Sequence, residues 1–359
     1  MTPRDNFLQA MRRQNPAWTP FEFSLSTGYR PILERELGPG LDLATHFHFA
    51  TRWLGPTTGT TRATPDWRAL YYRDLELPPE TVIDPEWGVA RVYHAATDDE
   101  RMFAPLREIE TEADLDAYPW PDDVASPHRY AGVAEQVRRQ QDQGFATVVG
   151  GLNFFEEPWA RTGFEKMMLG MAGDEPWARK LFMKHAADQV GIAEQVARTG
   201  ADVLYSSSDV ATQLAPLLSP GMWRDWLFPM MRDAIAAAKR IKPDLLVFYH
   251  SCGNVEPLIP GFIEAGVDIL NPLQPEAMDI FAIKQRFGER LSFWGGIGTQ
   301  SLLPHGTPQQ VRDTVRRTID AMSANGGGYL CSPAHMIRPE VPWANVMAFS
   351  ETVQELGHP

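Results

Sequence analysis

From about residue 145 onwards, short apolar runs alternate with longer stretches whose apolar residues recur at helical spacing. The runs are continuous and rich in β-branched residues, which is typical of parallel strands buried on both faces. Strands are predicted at 145–150, 202–206, 245–250, 268–271, 291–294 and 328–331. Helices are predicted at 157–171, 176–199, 220–241, 255–265, 277–287, 308–324 and 342–356. Glycine where helices should end and proline where they should begin support these boundaries.

In the first third of the chain, the alternation of predicted strands and helices is only partly present. Two further strands are predicted at 18–25 and 45–49, which makes the eight strands that a closed barrel needs. The stretch 55–125 is rich in Pro and Trp, and 89–95 and 101–107 are predicted to pair as a hairpin. The sequence therefore predicts an α/β protein: a single (β/α)8 TIM barrel over residues 1–359, with 55–125 as a rim or lid insertion. A doubly wound open sheet is the structural alternative.

Composition narrows the class of protein. The 359 residues are 43% hydrophobic and 22% charged, which excludes a disordered chain. The formal net charge of −13 argues against nucleic acid or an anionic membrane as partner, since Lys and Arg clusters hold both. The sequence has no apolar run of roughly 20 residues and no secretory signal, so we expect a cytoplasmic protein. Two cysteines cannot make a disulfide framework.

The active site of a barrel lies at the carboxyl ends of its strands, so the polar residues there are the candidates for chemistry. His250 precedes Cys252 by two residues at one such end, and strand alternation directs both side chains to the same side. An imidazole and a thiolate so placed suit zinc. The alternative is a buried His and a buried Cys that are close only by chance.

A third ligand is available where the last strand ends. Catalytic zinc takes three protein ligands and keeps one position open, and either Cys331 or His335 completes the set. Two imidazoles and one thiolate give the site a formal charge of 2 − 1 = +1, which favours polarisation of a bound oxygen. One imidazole and two thiolates leave it neutral, which favours a nucleophilic metal-bound thiolate.

Other strand ends supply carboxylates, amides and aromatic rings. Asp209, with Gln213 nearby, is expected to carry a proton or anchor substrate, unless it caps a turn. Glu22 lies within an apolar strand, where a carboxylate is costly unless paired or ligating, so it is a candidate for metal or substrate binding. The remaining candidates are the polar residues Asn153, Glu156, Glu157, Asn271 and Gln274 and the aromatic residues Phe154, Phe155, Trp159 and Trp294, whose rings otherwise serve as packing.

Several motifs together resemble the uroporphyrinogen decarboxylase superfamily. They are His250-Ser251-Cys252-Gly253, the run 263–268, Trp294-Gly295-Gly296-Ile297, Ala334-His335 followed by Pro339 and Pro342, and upstream Ser208-Asp209 with Gln213 and Ser219-Pro220. The resemblance covers roughly residues 145–357. It implies a (β/α)8 barrel whose pocket lies at the carboxyl ends of the strands.

Two branches of that superfamily lead to different expectations. Porphyrinogen decarboxylases carry an Arg-rich segment after the first strand to grip their substrate's carboxylates, whereas the segment 23–30 here contains only Arg30. A polycarboxylate would be poorly neutralised. The zinc-dependent methyltransferases, which exchange methyl groups with a corrinoid protein, share the His-x-Cys pair that is matched by His250 and Cys252.

The third ligand of those methyltransferases is a Cys placed four residues before one proline and seven before another. In this chain His335 has that position relative to Pro339 and Pro342, and Cys331 lies four residues too early. We therefore favour His335 as the third ligand and keep Cys331 as the alternative.

The resemblance thus implies a zinc-dependent methyltransferase that moves a methyl group between a small methylated substrate and a corrinoid protein. With His335 as ligand, zinc would polarise an oxygen or nitrogen of the substrate, while Asp209 or Glu156 orients the substrate or manages its proton. With Cys331 as ligand, a bound thiol acceptor is expected. A metal-free decarboxylase and a non-catalytic protein with a degenerate pocket are the competing expectations.

Overall fold

The computed structural model describes residues 1–56, 61–94 and 99–356. Its strands are β1 Thr51–Leu54, β2 Val82–Ile83, β3 Ala90–His94, β4 Asp99–Phe103, β5 Ala146–Asn153, β6 Val203–Ser207, β7 Leu246–His250, β8 Ile269–Leu273, β9 Ser292–Ile297 and β10 Tyr329–Pro333. Its α-helices are α1 Pro3–Met11, α2 Arg30–Leu37, α3 Leu43–His46, α4 Trp67–Tyr71, α5 Glu112–Ala117, α6 Ala131–Asp142, α7 Glu156–Thr162, α8 Phe164–Ala172, α9 Pro176–Arg198, α10 Pro220–Trp226, α11 Phe228–Ile241, α12 Ile259–Ala265, α13 Ile280–Phe287, α14 Leu302–His305, α15 Pro308–Met322 and α16 Trp343–Glu355.

Seven of these strands form one curled parallel sheet in the order β1-β5-β6-β7-β8-β9-β10. From β5 onwards each strand pairs with the next in the chain, and at least one helix connects them. Every residue of β8, β9 and β10 is buried, as expected of strands covered on both faces. The six strands predicted between 145 and 331 are therefore confirmed, and the carboxyl ends of all seven strands lie along one edge of the sheet.

The two strands predicted upstream have different outcomes. Residues 21–25 lie beside β10 through parallel bridges from Phe21 to Cys331 and from Leu25 to Ile337, without forming a continuous strand. The prediction of a strand at 45–49 is wrong, because α3 occupies the start of that range and the strand begins only at Thr51. Phe47 and Phe49 are buried whereas His46 and His48 are exposed, and this alternation resembles that of a strand.

Apolar side chains pack on both faces of the sheet, and strand alternation assigns each to its face. Val148 belongs to a small inner cluster, whereas its neighbour Val149 belongs to the large cluster formed with the surrounding helices. Helix α1 contributes to the inner cluster, where the ring of Phe7 meets that of Trp294 at 5.8 Å between centroids. Because α1 occupies the inner face from the amino end of the strands, the accessible end is the carboxyl end.

The stretch 55–125 folds partly as an antiparallel sheet of β2, β3 and β4. The predicted hairpin is confirmed as the pairing of β3 with β4, although its turn, at 95–98, lies outside the described residues. The segment packs on α7 around Arg161, whose side chain is 2% exposed. The guanidinium carbon of Arg161 lies 3.8 Å from the ring centroid of Trp87 and 5.7 Å from that of Trp120. Among the described helices, none is long and apolar enough to span a membrane.

Candidate metal site and substrate pocket

His250 and Cys252 come together at the carboxyl end of β7. Strand β7 ends at His250, and the Nε2 atom of that imidazole lies 3.6 Å from the Sγ atom of Cys252. Zinc–nitrogen bonds of about 2.0–2.1 Å and a zinc–sulfur bond of about 2.3 Å, at a tetrahedral angle, place the two ligand atoms about 3.6 Å apart. The pair therefore has the spacing of two ligands on one zinc ion.

Asn271, on the neighbouring strand β8, fixes the tautomer of His250. The amide Nδ2 donates to the carbonyl of Trp294 at 3.1 Å, so the amide oxygen faces His250 Nδ1 at 2.5 Å. An amide oxygen only accepts, so Nδ1 carries the proton and Nε2 presents its lone pair to Cys252. Asn271 was predicted to bind substrate, and the structure places it behind His250 as the group that orients this imidazole.

Asp209 lies against the same pair from the loop after β6. Its Oδ1 atom accepts the backbone N–H of Cys252 at 2.7 Å and lies 3.7 Å from His250 Nε2. The candidate ligand atoms of these three residues all lie within 4.8 Å of one another, so a carboxylate completes a three-donor group. The sequence identified Asp209 as a proton carrier or substrate anchor, and its position as a possible metal ligand is visible only in the structure.

Glu156 and Asn153 hold Asp209 in place from the end of β5. Glu156 accepts the backbone N–H of Asp209 at one carboxylate oxygen and the side-chain N–H of Asn153 at the other, both at 2.7 Å. Burial raises the pKa of Glu156; the hydrogen bond from the Asp209 backbone N–H opposes this, and the charge of the Asp209 carboxylate adds to it. The two predicted catalytic carboxylates therefore form one connected unit.

The electrostatics of this group favour a cation. Burial raises the pKa of the Cys252 thiol to about 12, and the nearby charges of Asp209 and Glu156 act in the same direction. Without a cation the thiol therefore keeps its proton. A bound divalent ion reverses this effect, since a coordinating thiol loses its proton outright.

The two candidates for a third ligand lie in different environments. His335 borders the same pocket as Cys252, and its ring centroid is 6.4 Å from that of His250. Cys331 is fully buried and packs in the cluster on the helix-facing side of the sheet, whereas its neighbour Leu330 belongs to the inner cluster. Strand alternation thus directs the Cys331 thiol to the face opposite the inner cluster.

A close contact between two loops supports the position of Cys252. Gly253 has φ +86, and a Cβ atom added there would lie 2.4 Å from the carbonyl oxygen of Thr212. Gln274 accepts the Gly253 N–H at 3.0 Å and donates to the side chain of Gln213 at 3.2 Å. Gln213 and Gln274, both predicted to bind substrate, therefore meet beside Cys252.

A cavity of about 470 Å³ opens beside Cys252. Besides Cys252 and His335 it is lined by the predicted residues Gln213 and Gln274, by Ala334, and by Thr299, Gln300, Pro304, His305, Met336, Arg338 and Glu340. The last seven were not predicted from the sequence, although Thr299 and Gln300 are the first polar residues after β9. Arg338 was detectable, because it follows His335 by only three positions.

Glu22 lies near the inner cluster and is not one of the three grouped candidate ligands Asp209, His250 and Cys252. Its carboxylate accepts hydrogen bonds from the Thr51 hydroxyl and from Trp53 Nε1, the latter at 3.1 Å. Burial raises its pKa to about 7, against the lowering effect of those two donors. Trp53, 46% exposed, packs edge-on against Trp294, so Glu22 fixes an aromatic surface.

The predicted aromatic residues are mostly packing. Phe154 and Phe155 are fully buried, and Trp294 is 2% exposed within the inner cluster. Trp159 is partly buried against the main core and meets Phe164 edge-on at 6.0 Å. Within the described residues, none of these four lines the cavity beside Cys252.

Two polar side chains of α9 support Asn153 from behind. The backbone N–H of Asn153 donates to Gln189 Oε1 at 2.9 Å, and its carbonyl accepts from His185 Nε2 at 2.6 Å. Burial lowers the pKa of His185 to about 3, and the charge of Arg161 lowers it further. His185 is therefore neutral, and it links α9 through Asn153 to Glu156.

Comparisons with known proteins agree on one family. A model of the family described as uroporphyrinogen decarboxylase (URO-D) matches residues 107–356, well over half of the chain. A methylated-thiol–coenzyme M methyltransferase of Methanosarcina mazei is 26% identical over 206 residues, which cover 56% of this chain and 53% of that protein. A uroporphyrinogen decarboxylase of Nostoc punctiforme is 25% identical over 235 residues, 62% of each chain. The matches thus span between about half and two thirds of these relatives' lengths.

A solved structure extends the likeness to the whole chain. A methyltransferase from Methanosarcina mazei superposes with a TM-score of 0.70 and covers 99% of both chains, at 16% sequence identity. At that identity the likeness concerns the fold.

Proposed function

The chain belongs to the uroporphyrinogen decarboxylase family, and from this premise we propose that it is a zinc-dependent methyltransferase that demethylates a small substrate and passes the methyl group to a corrinoid protein. The relative named as a methyltransferase supports this branch of the family. The observation that carries the proposal is the 3.6 Å separation of His250 Nε2 and Cys252 Sγ, with Asn271 holding the proton of the neutral imidazole on Nδ1 so that the lone pair of Nε2 faces Cys252.

The donor set fits zinc rather than magnesium or calcium. An imidazole and a thiol are ligands of borderline softness, whereas Mg²⁺ and Ca²⁺ prefer oxygen alone. We propose that His250 and Cys252 provide two ligands and that Asp209, already in reach, provides the third, in competition with His335. The burial of Cys331 on the opposite face argues against the thiol alternative. Zinc bound there would act as a Lewis acid toward a heteroatom of the substrate.

The chain's own residues position the reacting groups. If Asp209 ligates the metal, the proton-handling role expected of it passes to Glu156, whose carboxylate is buried and hydrogen-bonded to Asp209. Gln213 and Gln274 border the pocket and are placed to contact substrate. The cavity of about 470 Å³ is suited to a small molecule, and a corrinoid on a partner protein would approach from its open side.

A metal-free decarboxylase of the porphyrinogen type is the second candidate, favoured by the Nostoc relative. Its polycarboxylate substrate needs several cations, yet Arg30, the one arginine of the segment 23–30, is 69% exposed and paired with Glu34 at 2.9 Å. The geometry therefore favours the methyltransferase.

We also infer the complete architecture. Residues 21–25, bridged to β10 and contacting β1 through the Glu22 side chain, would act as the eighth strand of a single (β/α)8 barrel. The stretch 55–125 would then form the rim on the side of α7.

Metal analysis of the purified full chain tests the function. We expect close to one equivalent of zinc in the wild type and less than about one tenth in Cys252→Ala, since two remaining donors hold zinc poorly. Methyl transfer from candidate methylated compounds to a reduced corrinoid should be lost with the metal. Full activity after exhaustive chelation, or equal zinc in both proteins, would overturn the proposal.

A further inference from the structure

Arg338 is a cationic side chain of the substrate pocket whose guanidinium has no partner among the described residues. It is half-buried in the loop after β10, and its guanidinium makes no hydrogen bond or ion pair with any part of the chain that the structure describes. An anionic group of a ligand would form charge-assisted hydrogen bonds with this guanidinium. Arg338 is therefore available to bind an anion on the side of the cavity.

The backbone around Arg338 is held firmly in place. Ile337 donates to the carbonyl of Ser24 at 2.8 Å and accepts the N–H of Ser26 at 2.9 Å. Val341 donates to the carbonyl of Arg338 at 3.0 Å, so the residue is tied on both sides. A ligand that binds the guanidinium therefore loses little free energy in ordering the loop, and only the Arg338 side chain has to be immobilised.

The rest of the pocket makes Arg338 the place where an anion would bind. Glu340 borders the same cavity without pairing to Arg338, and it is exposed. Gln213 and Gln274 already bond to each other. With a net charge of −13 the chain as a whole repels anions, so a single local cation has a large influence on which ligands enter.

We propose that Arg338 determines the substrate class: it binds a carboxylate or another oxyanion at one end of a small molecule whose methylated heteroatom lies beside Cys252. This inference rests on the proposed function only for which end of the substrate reacts. Recognition of the anion depends on Arg338 alone. Arginine suits this task because its planar fork can bind two oxyanion oxygens at once. Neutral alcohols and methylamines lack the group that Arg338 requires.

Two small methyl ethers, one with a carboxylate and one with a neutral hydroxyl, test the assignment. Methoxyacetate and 2-methoxyethanol have nearly the same size, and their binding to the chelator-treated full chain can be measured by calorimetry. We expect the anion to bind at least about tenfold more tightly than the alcohol, since a charge-assisted bond is made to only one of them. Chelation ensures that no metal competes for the carboxylate.

Variants separate Arg338 from general charge effects. Arg338→Gln should abolish the preference, while Arg338→Lys should keep part of it. Arg317→Gln, which changes an exposed arginine in a different cavity, should retain it. Circular dichroism confirms folding of each variant. No saturable binding, no preference in the wild type, or an unchanged preference in Arg338→Gln would overturn the inference. If the chain holds no zinc but the preference depends on Arg338, only the proposed methyl transfer fails.

Discussion

The Nδ1 atom of His250 and the Oδ1 atom of Asn271 lie 2.5 Å apart on neighbouring strands, and this contact decides which imidazole nitrogen faces Cys252. Asn271 can only be oriented this way, because its amide nitrogen donates to the carbonyl of Trp294. In the proposed metal site, a group outside the ligand set would thus orient one of the ligands.

Removing the Asn271 amide should therefore weaken zinc binding without removing a ligand. We expect Asn271→Ala to lower the zinc affinity by about 10–100-fold, the range typical of lost outer-shell partners. Competition with a chromophoric chelator measures this affinity. Asn254→Ala removes an amide that donates to the Leu214 carbonyl, and it should leave the affinity unchanged. Equal affinities in all three proteins would show that Asn271 does not orient His250.

The loop contact at Gly253 gives a second prediction. Gly253→Ala combines a left-handed backbone with a Cβ atom 2.4 Å from the Thr212 oxygen, so the Cys252 loop must shift. We expect a loss of unfolding free energy of about 1–3 kcal/mol and weaker zinc binding. Gly200→Ala is the matched control, since Gly200 has φ +80 but no atom near the added Cβ. It should lose stability yet keep its zinc, and equal zinc loss in both variants would contradict the clash.

The choice of third ligand can be read from three substitutions. Asp209→Asn keeps the shape but replaces a charged ligand by a poor one, so it should weaken zinc binding more than His335→Gln does. Cys331→Ala should not change the zinc content, although it removes a buried side chain from the core. Metal titration ranks the three. If His335→Gln has the largest effect, the imidazole is the ligand and Asp209 remains free to handle protons.

His185 predicts how stability depends on pH. Its folded-state pKa of about 3 lies below the usual 6.5, so below pH 6.5 the unfolded chain binds a proton that the folded chain does not. The contribution is complete above pH 6.5 and is lost as the pH falls toward 3, by about 2 kcal/mol at pH 5.

Urea unfolding at pH 8 and pH 5 measures this effect as a difference between proteins. His185→Gln can still donate to the Asn153 carbonyl but does not titrate, so it should lose less stability than the wild type on acidification. His128→Gln changes an exposed imidazole and should follow the wild type. A His185→Gln variant with the same acid sensitivity as the wild type would rule out the assignment.

Much of the architecture follows from local pattern. The strands from 145 to 331 were predictable because a strand buried on both faces needs a continuous apolar run, and Gly and Pro mark the helix ends. The absence of a strand at 45–49 was not predictable. Phe47 and Phe49 are buried by packing, and their alternation with polar residues looks the same as that of a strand. The single helix predicted at 157–171 is divided at Gly163, whose φ of +89 ends α7.

By itself the sequence determined that His250 and Cys252 lie two residues apart at one strand end, since a buried strand can be predicted from its local apolar run. Cys252 lies beyond the end of β7, so the direction of its thiol depends on the loop contacts with Asp209 and Gln274. Only the tertiary structure decided what surrounds them. Asp209, Asn271 and Arg338 come from three other strand ends, and their distances to the pair depend on how the parallel sheet curls. The opposite orientation of Cys331 likewise depends on which face of β10 meets the helices. Residues far apart in the chain meet only through packing, and the local spacing of residues contains no information about these contacts.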